Sequence, residues 1–309
     1  MIEFYSAEQV HAALRYDTLA DAIAEQFKSN TVAPLRHAHA LSATDSLLLM
    51  PAWSDGGAIG VKLVTVRPQN SERGLSTVNA VYLLFDRATG ELRAMIDGEA
   101  LTLRRTAAAS LLAARYLARD DACVILIIGT GRLAEHLARA HCIERNVERL
   151  MNWGRSEERA RALAATLREQ NLPAEAVTNL EQAVGAADII SCATTATSPI
   201  VRGAWLQRGS HLDLVGAFKR GMREVDDDAV ARSRVYVDTR AGAFAEAEDI
   251  IEPIERGVIE REDVRAELAE LVKGAVTGRR SADEITLFKS VGTAIEDLAA
   301  AQLLIKLAG

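Results

Sequence analysis

The stretch VILIIGTGRLAEHLARA, residues 124–140, decides the fold. An apolar run of strand type ends in Gly129-Thr130-Gly131, and Ala and Leu at helical spacing follow at once. The segment Gly129-Thr130-Gly131-Arg132-Leu133-Ala134 fits G-x-G-x-x-G/A between a strand and a helix. The first glycine permits the tight turn, the second lets a pyrophosphate reach the backbone, and Ala134 allows the helix to pack closely on the strand. The helix N-terminus then offers unpaired N–H groups to an anion. This context points to a dinucleotide.

Downstream, strand-like and helix-like segments alternate. CVILIIG, VERLMNW, AEAVT, DIISCAT, HLDLVG and VYVDT read as strands, with helical patterns such as residues 156–170 between them. Continuous apolar strands separated by helices predict a parallel sheet covered on both faces, a doubly wound Rossmann-type α/β domain. Upstream the pattern changes. Asp17 is placed to cap a helix in which Leu19, Ile23 and Phe27 recur every four residues. SLLLMPAW, AIGVKLVTV, STVNAVYLLFD and ELRAMIDGEAL then read as sequential strands, with residues 86–90 as a hairpin connection. Few helices among them suggest an antiparallel or mixed sheet in a second domain. Residues 106–118 read as an Ala/Leu-rich helix leading into the nucleotide domain, and residues 291–308 as a buried last helix that no further strand precedes.

Composition narrows the partners. The chain has 309 residues, 49% hydrophobic and 26% charged, with a formal net charge of −7. That balance argues against nucleic acid and raises the case for a small-molecule ligand. The segment MIEFYSAEQV is acidic and lacks an apolar core, so no secretory signal is expected, and no apolar run approaches the roughly 18 residues of a membrane span. Cys123, Cys142 and Cys192 are odd in number and outside any CxxC, which suits free thiols in a reducing cytoplasm. His37 and His39 share a strand face and His136 and His141 sit poorly for a common helical face. Without acidic or Cys partners nearby, no metal site is expected.

The end of the second strand selects the dinucleotide. An NAD site places an acid roughly 20 residues beyond the glycines, for the ribose hydroxyls. Here Gly154, Arg155 and Ser156 stand in that place, and Glu157 and Glu158 belong to the next helix. A guanidinium and a hydroxyl suit a 2′-phosphate, so NADP(H) is favoured over NAD(H).

Four motifs in order make the chain similar to the ornithine cyclodeaminase/mu-crystallin family over nearly its whole length: GVKLVTVRPQN at residues 60–70, LTLRRTAAAS at 101–110, the glycine turn, and ITLFKSVGTAIEDLAAAQLL near the end. The resemblance implies a homodimer whose substrate-domain strands pair across subunits. It also implies a discontinuous mixed α+β substrate-binding and dimerisation domain, residues 1–118 and 291–309, around a Rossmann domain at 119–290. Lys62 matches the family's lysine, Arg105 the arginine of its RT motif, and Arg36 in APLRHAH a further substrate-binding arginine. A guanidinium and an ammonium would fix the carboxylate of an amino or imino acid. Lysine is seldom buried unless paired, so Lys62 within an apolar run stands out. The family also implies Thr194 and Thr195 along the cofactor, and Ser290, Val291 and Gly292 toward the nicotinamide. Asp297 matches an acid of structural type.

Two positions depart from the pattern. Cyclodeaminases carry an aspartate where this chain has Phe218, an absence shared by mu-crystallin-like ketimine reductases, and Glu248 replaces a common glycine. A cyclodeaminase must manage protons on an attacking amine, which a phenyl ring cannot do, whereas reduction of a cyclic ketimine asks for anchoring and hydride. The resemblance therefore implies first a reductase of Δ1-pyrroline-2-carboxylate or a similar cyclic imino acid, yielding an L-amino acid such as proline. Ornithine cyclodeaminase comes next, then an alanine-dehydrogenase-type enzyme, then a non-catalytic NADPH-dependent binding protein.

Overall fold

The computed structural model describes residues 2–55 and 57–308. Met1, Gly56 and Gly309, which fall in the first expected domain, lie outside the described residues. The chain divides into two units, Met1–Ala109 with Thr293–Gly309, and Ser110–Gly292. The first break falls inside the helix Gly98–Leu117, and the second between Gly292 and Thr293.

The strands of the first unit are β1 (Glu3–Tyr5), β2 (Thr31–Val32), β3 (His37–Ala40), β4 (Ser46–Ser54), β5 (Ala58–Val66), β6 (Val78–Asp86) and β7 (Leu92–Asp97). They form a mixed sheet in the order β1-β7-β6-β5-β4-β2, with β3 also on β4. The β1–β7 pair is parallel and the others are antiparallel. The expected hairpin joins β6 to β7: Asp86 accepts the N–H groups of Ala88 and Thr89 at 2.9 Å, and Gly90 takes a φ of +74°. Alternation in β5 buries Ala58, Gly60, Lys62 and Val64 on one face. The last helix, Ala294–Ala308, packs against β4 and β5 and against the helix Tyr16–Lys28. Leu19, Ile23 and Phe27 of the latter are buried, as their spacing predicts.

Three boundaries differ from the sequence reading. Arg15, not Asp17, is the N-cap of the Tyr16–Lys28 helix. Asp17 sits in the first turn, where its charge favours the helix dipole, and its carboxylate pairs with Arg15 at 2.8 Å. The strand β7 stops at Asp97 and the next helix starts at Gly98, not near residue 106. Asp97 accepts the Ala100 N–H at 2.8 Å, and a Cβ at position 98 would lie 2.7 Å from the Ala80 carbonyl carbon, so glycine lets the helix begin against β6. The last helix begins at Ala294 rather than residue 291, because Gly292 takes a φ of +81°.

The second unit contains β8 (Val124–Ile128), β9 (Arg149–Trp153), β10 (Ala174–Ala176), β11 (Ile189–Cys192), β12 (His211–Leu214), β13 (Ser233–Val237), β14 (Val264–Glu267) and β15 (Ile285–Lys289). Among the described residues they make one parallel sheet in the order β10-β9-β8-β11-β12-β15-β13-β14. This is the doubly wound Rossmann-type domain expected from the glycine turn. Two strands exceed the six read from the sequence. One is β14 at the edge. The other, β15, is wholly buried between β12 and β13, so a strand does precede the last helix. Its five apolar-to-polar residues carry no strand alternation, because both faces of the sheet are covered. The core on these faces includes Leu126, Ile128, Ile190, Leu212, Leu214, Val235 and Leu287.

Candidate active site

The strand order reverses between β8 and β11, and the crevice beyond their carboxyl ends is where such sheets bind ligands. A cavity of about 640 Å³ lies there. It is lined by Gly129, Thr130, Gly131, Gly154, Arg155, Ser156, Arg159, Ala193, Thr194, Thr195 and Ala196, among others. Gly129 has a φ of +134°, and a Cβ on it would lie 2.6 Å from the Ala193 carbonyl oxygen. A Cβ on Gly131 would meet nothing within 4 Å. Its glycine thus leaves room on the cavity side, as a phosphate laid against the backbone requires. Gly131 is also the N-cap of the helix Arg132–Cys142, so the helix N-terminus opens at this turn.

Of the residues predicted to bind the cofactor, Gly129, Thr130, Gly131, Arg155, Ser156, Thr194 and Thr195 converge on this cavity. Arg132 and Leu133 form the first turn of the helix behind it. Val291 and Gly292 occupy the turn after β15, where Asp238 accepts the N–H groups of both at 2.8 and 2.7 Å and the Ser290 hydroxyl at 2.9 Å. Ser156 also caps the helix Glu157–Glu169 by accepting the Arg159 N–H. Arg159 was not anticipated. It lies in the first turn of the helix Glu157–Glu169, where its N–H is capped by Ser156, so its nearness to the end of β9 could have been read from the sequence.

The first unit holds a second cluster. Lys62 is 2% exposed, and its ammonium lies 2.8 Å from Asp297 and donates to the Thr102 hydroxyl at 3.1 Å. Arg105 donates to Asp297 at 3.0 Å and to Glu296 at 2.5 Å. Burial and the Arg105 charge push the Lys62 pKa down to about 8, against the opposing pull of Asp297. Burial works to raise the Asp297 pKa, but Arg105 and Lys62 outweigh it and hold the carboxyl below its ordinary value. The charge of Arg36 adds a smaller push in the same direction as Arg105 on both Lys62 and Asp297. Of the three predicted basic residues, Lys62 and Arg105 meet directly on Asp297. Tyr82 faces Lys62 across the β5–β6 ladder, with its hydroxyl buried over Gly60. Glu296 was not anticipated as part of the cluster, although it adjoins Asp297 in sequence.

The loop after β12 carries Phe218, 37% exposed. Both acids nearby are engaged by backbone N–H groups. Glu224 is fully buried and accepts the N–H groups of Thr194, Gly216 and Ala217, while Asp226 caps the helix Asp227–Ala231 and accepts the Gly203 N–H. Glu248, at the common glycine position, pairs with Arg220 and accepts the Gly221 N–H. Among the described residues no group of three or more His, Cys, Asp or Glu side chains could hold a metal ion.

A Rossmann-type sheet with a phosphate-ready glycine turn, and a separate buried cluster of lysine, arginine and carboxylates, define a dinucleotide-binding α/β protein. The model of the ornithine cyclodeaminase/mu-crystallin family matches residues 2–307, and the chain belongs to that family. It is 40% identical to a Δ1-pyrroline-2-carboxylate reductase of Paracoccus denitrificans over 82% of this chain and 81% of that one. Among solved structures it resembles Δ1-pyrroline-2-carboxylate reductase of Thermococcus litoralis in complex with NADH and L-proline, with a TM-score of 0.95, 34% identity, and coverage of 99% of this chain and 97% of that one. It also resembles an archaeal alanine dehydrogenase dimer with bound NAD, with a TM-score of 0.93, 29% identity, and coverage of 99% and 96%.

Proposed function

We propose that this protein is an NAD(P)H-dependent reductase of cyclic ketimines, acting on Δ1-pyrroline-2-carboxylate or a similar imino acid to give an L-amino acid such as proline. The observation that carries this reading over cyclodeamination is the loop after β12. Phe218 stands where a cyclodeaminase keeps its aspartate, and Glu224 and Asp226 are committed to backbone N–H groups. A positioned acid–base group is worth about 10²–10⁴-fold in rate, and no carboxylate in this loop is left to provide it. The names of the relatives support the same choice.

Gly129, Thr130, Gly131, Thr194 and Thr195 would hold the dinucleotide, with Arg155, Ser156 and Arg159 on its 2′-phosphate. When bound, the reduced nicotinamide supplies the hydride. Arg36, Lys62 and Arg105 hold the substrate carboxylate, and Asp297 and Glu296 fix the two inner cations in place. The fully buried pairs cost desolvation, so their geometry matters more than their net stability. The turn at Val291 and Gly292, pinned by Asp238, serves the nicotinamide end. NADP(H) preference rests on the guanidinium groups at the end of β9 and on the lack of an acid there. A homodimer is supported by the likeness to a dimeric alanine dehydrogenase. Free thiols at Cys123, Cys142 and Cys192 suit a reducing cytoplasm.

The test is oxidation of NADPH and NADH with five- and six-membered cyclic imino acids and with pyruvate plus ammonia, and in parallel the release of ammonia from ornithine in the presence of NAD, because cyclodeamination returns its hydride and leaves the cofactor unchanged overall. Turnover confined to cyclic imino acids is the expected result. Preferred turnover of pyruvate would favour the alanine-dehydrogenase reading, and none at all a binding protein.

A further inference from the structure

We propose that Glu224 is a positioning residue for the cofactor. Its carboxylate ties the loop after β11 to the turn that leads into Phe218, and the tie loosens when the carboxylate takes a proton. The inference rests on the reading that the cavity takes a nicotinamide dinucleotide.

One oxygen of Glu224 accepts the Thr194 N–H at 2.7 Å and the Thr194 hydroxyl at 2.9 Å. The other accepts the N–H groups of Gly216 at 2.9 Å and Ala217 at 3.2 Å. The Thr194 oxygen in turn accepts the Ala196 N–H at 3.3 Å, and both residues line the cavity. Close approach is built in. A Cβ on Gly216 would lie 2.1 Å from the Thr194 nitrogen and 2.3 Å from Glu224, so glycine lets the two segments close on the carboxylate.

Four donors occupy the four lone-pair directions of a carboxylate. An added proton therefore displaces at least one of them. The groups that face Glu224 decide when that happens. Lys289 on β15 favours the carboxylate, while Asp249, on the helix Glu248–Glu255, disfavours it. Asp249 itself pairs with Lys289 at 2.9 Å and accepts the Glu224 N–H at 2.8 Å. The Cys192 thiol, on β11, is also within reach of the Glu224 charge. Burial, helped by the Asp249 charge, outweighs Lys289 and the hydrogen bonds and pushes the Glu224 pKa up to about 7. A buried carboxylate that holds four donors, yet gains its proton near neutrality, can loosen the cavity wall within the physiological range.

The test is the dissociation constant of NADH and of NADPH, read by nicotinamide fluorescence from about pH 6 to about pH 8.5. NADH is included because it lacks a 2′-phosphate that titrates by itself. Binding to the unmodified protein should weaken about five- to tenfold as pH falls through 7, for both cofactors. Glu224→Gln should bind weakly by a similar factor at every pH, with the pH dependence gone. Binding by Glu224→Gln as tight as by the unmodified protein, or retention of the acid limb in that variant, would overturn the proposal. If the variant does not fold, the amide proton shifts of Thr194, Gly216 and Ala217 in the unmodified, cofactor-free protein carry the test. They should titrate together with one midpoint, and separate midpoints or no titration would overturn the tie. Failure to bind either cofactor at any pH would defeat the cofactor reading, whereas binding without a shared titration would defeat only the role of Glu224.

Discussion

The Lys62 ammonium lies 2.8 Å from the Asp297 carboxylate, across 235 residues of sequence, with both side chains buried. Arg105 meets the same carboxylate from the helix Gly98–Leu117. Removing Asp297 therefore takes from Lys62 its carboxylate partner and from Arg105 one of two, leaving Glu296 alone against both cations. Asp297→Ala should lower the free energy of unfolding by about 3–5 kcal/mol, the usual cost of breaking a buried pair. Urea denaturation measures it, and an unchanged midpoint would mean that the cluster is wet rather than buried.

The two cations themselves bear on substrate rather than on cofactor. Lys62→Met or Arg105→Ala should reduce kcat/KM for a cyclic imino acid by an amount equivalent to about 2–5 kcal/mol. The dissociation constant of the dinucleotide should stay nearly unchanged, because its cavity is lined by residues of the other unit. Near-normal kcat/KM in either variant would mean that the carboxylate is held elsewhere.

A pH dependence follows from the lowered pKa of Lys62. The side chain is an ammonium below about 8 and an amine above it, so its hold on a substrate carboxylate is present at lower pH and lost as pH rises through 8. KM for the imino acid should climb on the alkaline side with little change in cofactor affinity. Lys62→Arg keeps its charge there, and should flatten that limb even if turnover drops. A limb that survives in Lys62→Arg belongs to another group.

The nucleotide half of the site was legible because its signal is local. Gly129, Gly131, Arg155 and Ser156 lie within 28 residues, and a turn followed by a helix start is written in consecutive positions. The pairing of Lys62 with Asp297 was not legible from spacing, since only the folded sheet brings the strand β5 to the last helix. Family likeness brought Lys62, Arg105 and Asp297 to notice, but not that they touch. The strand β15 was missed for a related reason: being covered on both faces it lacks alternation, and it reads as the lead-in to the helix that follows. Glu224 could be named only as one acid among several in its loop. Its burial against Thr194 and Gly216 depends on two turns that sequence does not align.

Cofactor choice is tested at the end of β9. Arg155 and Arg159 are exposed at the cavity edge, where each charge-assisted contact is worth less than a buried one. Arg155→Ala should weaken NADPH roughly tenfold, equivalent to about 1.4 kcal/mol, and leave NADH nearly unaffected. Arg159→Ala should act in the same direction. Equal loss for both cofactors would show that neither arginine meets the 2′-phosphate.

The reaction itself turns on Phe218. Its ring stands in a loop whose two acids, Glu224 and Asp226, are held by backbone N–H groups at 2.7–3.2 Å. The unmodified protein should therefore reduce a cyclic ketimine and release no appreciable ammonia from ornithine. Phe218→Asp places a carboxylate where an attacking amine would need one, and the position is open enough to accept it, at 37% exposure. The variant should lose part of its imine turnover, because the charged group replaces an apolar ring. A gain of ornithine-dependent ammonia, read with a coupled ammonia assay, would reflect the restored proton relay, whose full worth is about 10²–10⁴-fold. Only a fraction of that range is expected, since acid–base efficiency depends on placement to within hydrogen-bond reach. Efficient conversion of ornithine to proline and ammonia by the unmodified protein would instead sink the reductase reading, and would require Glu224 or Asp226 to give up the N–H groups they now hold.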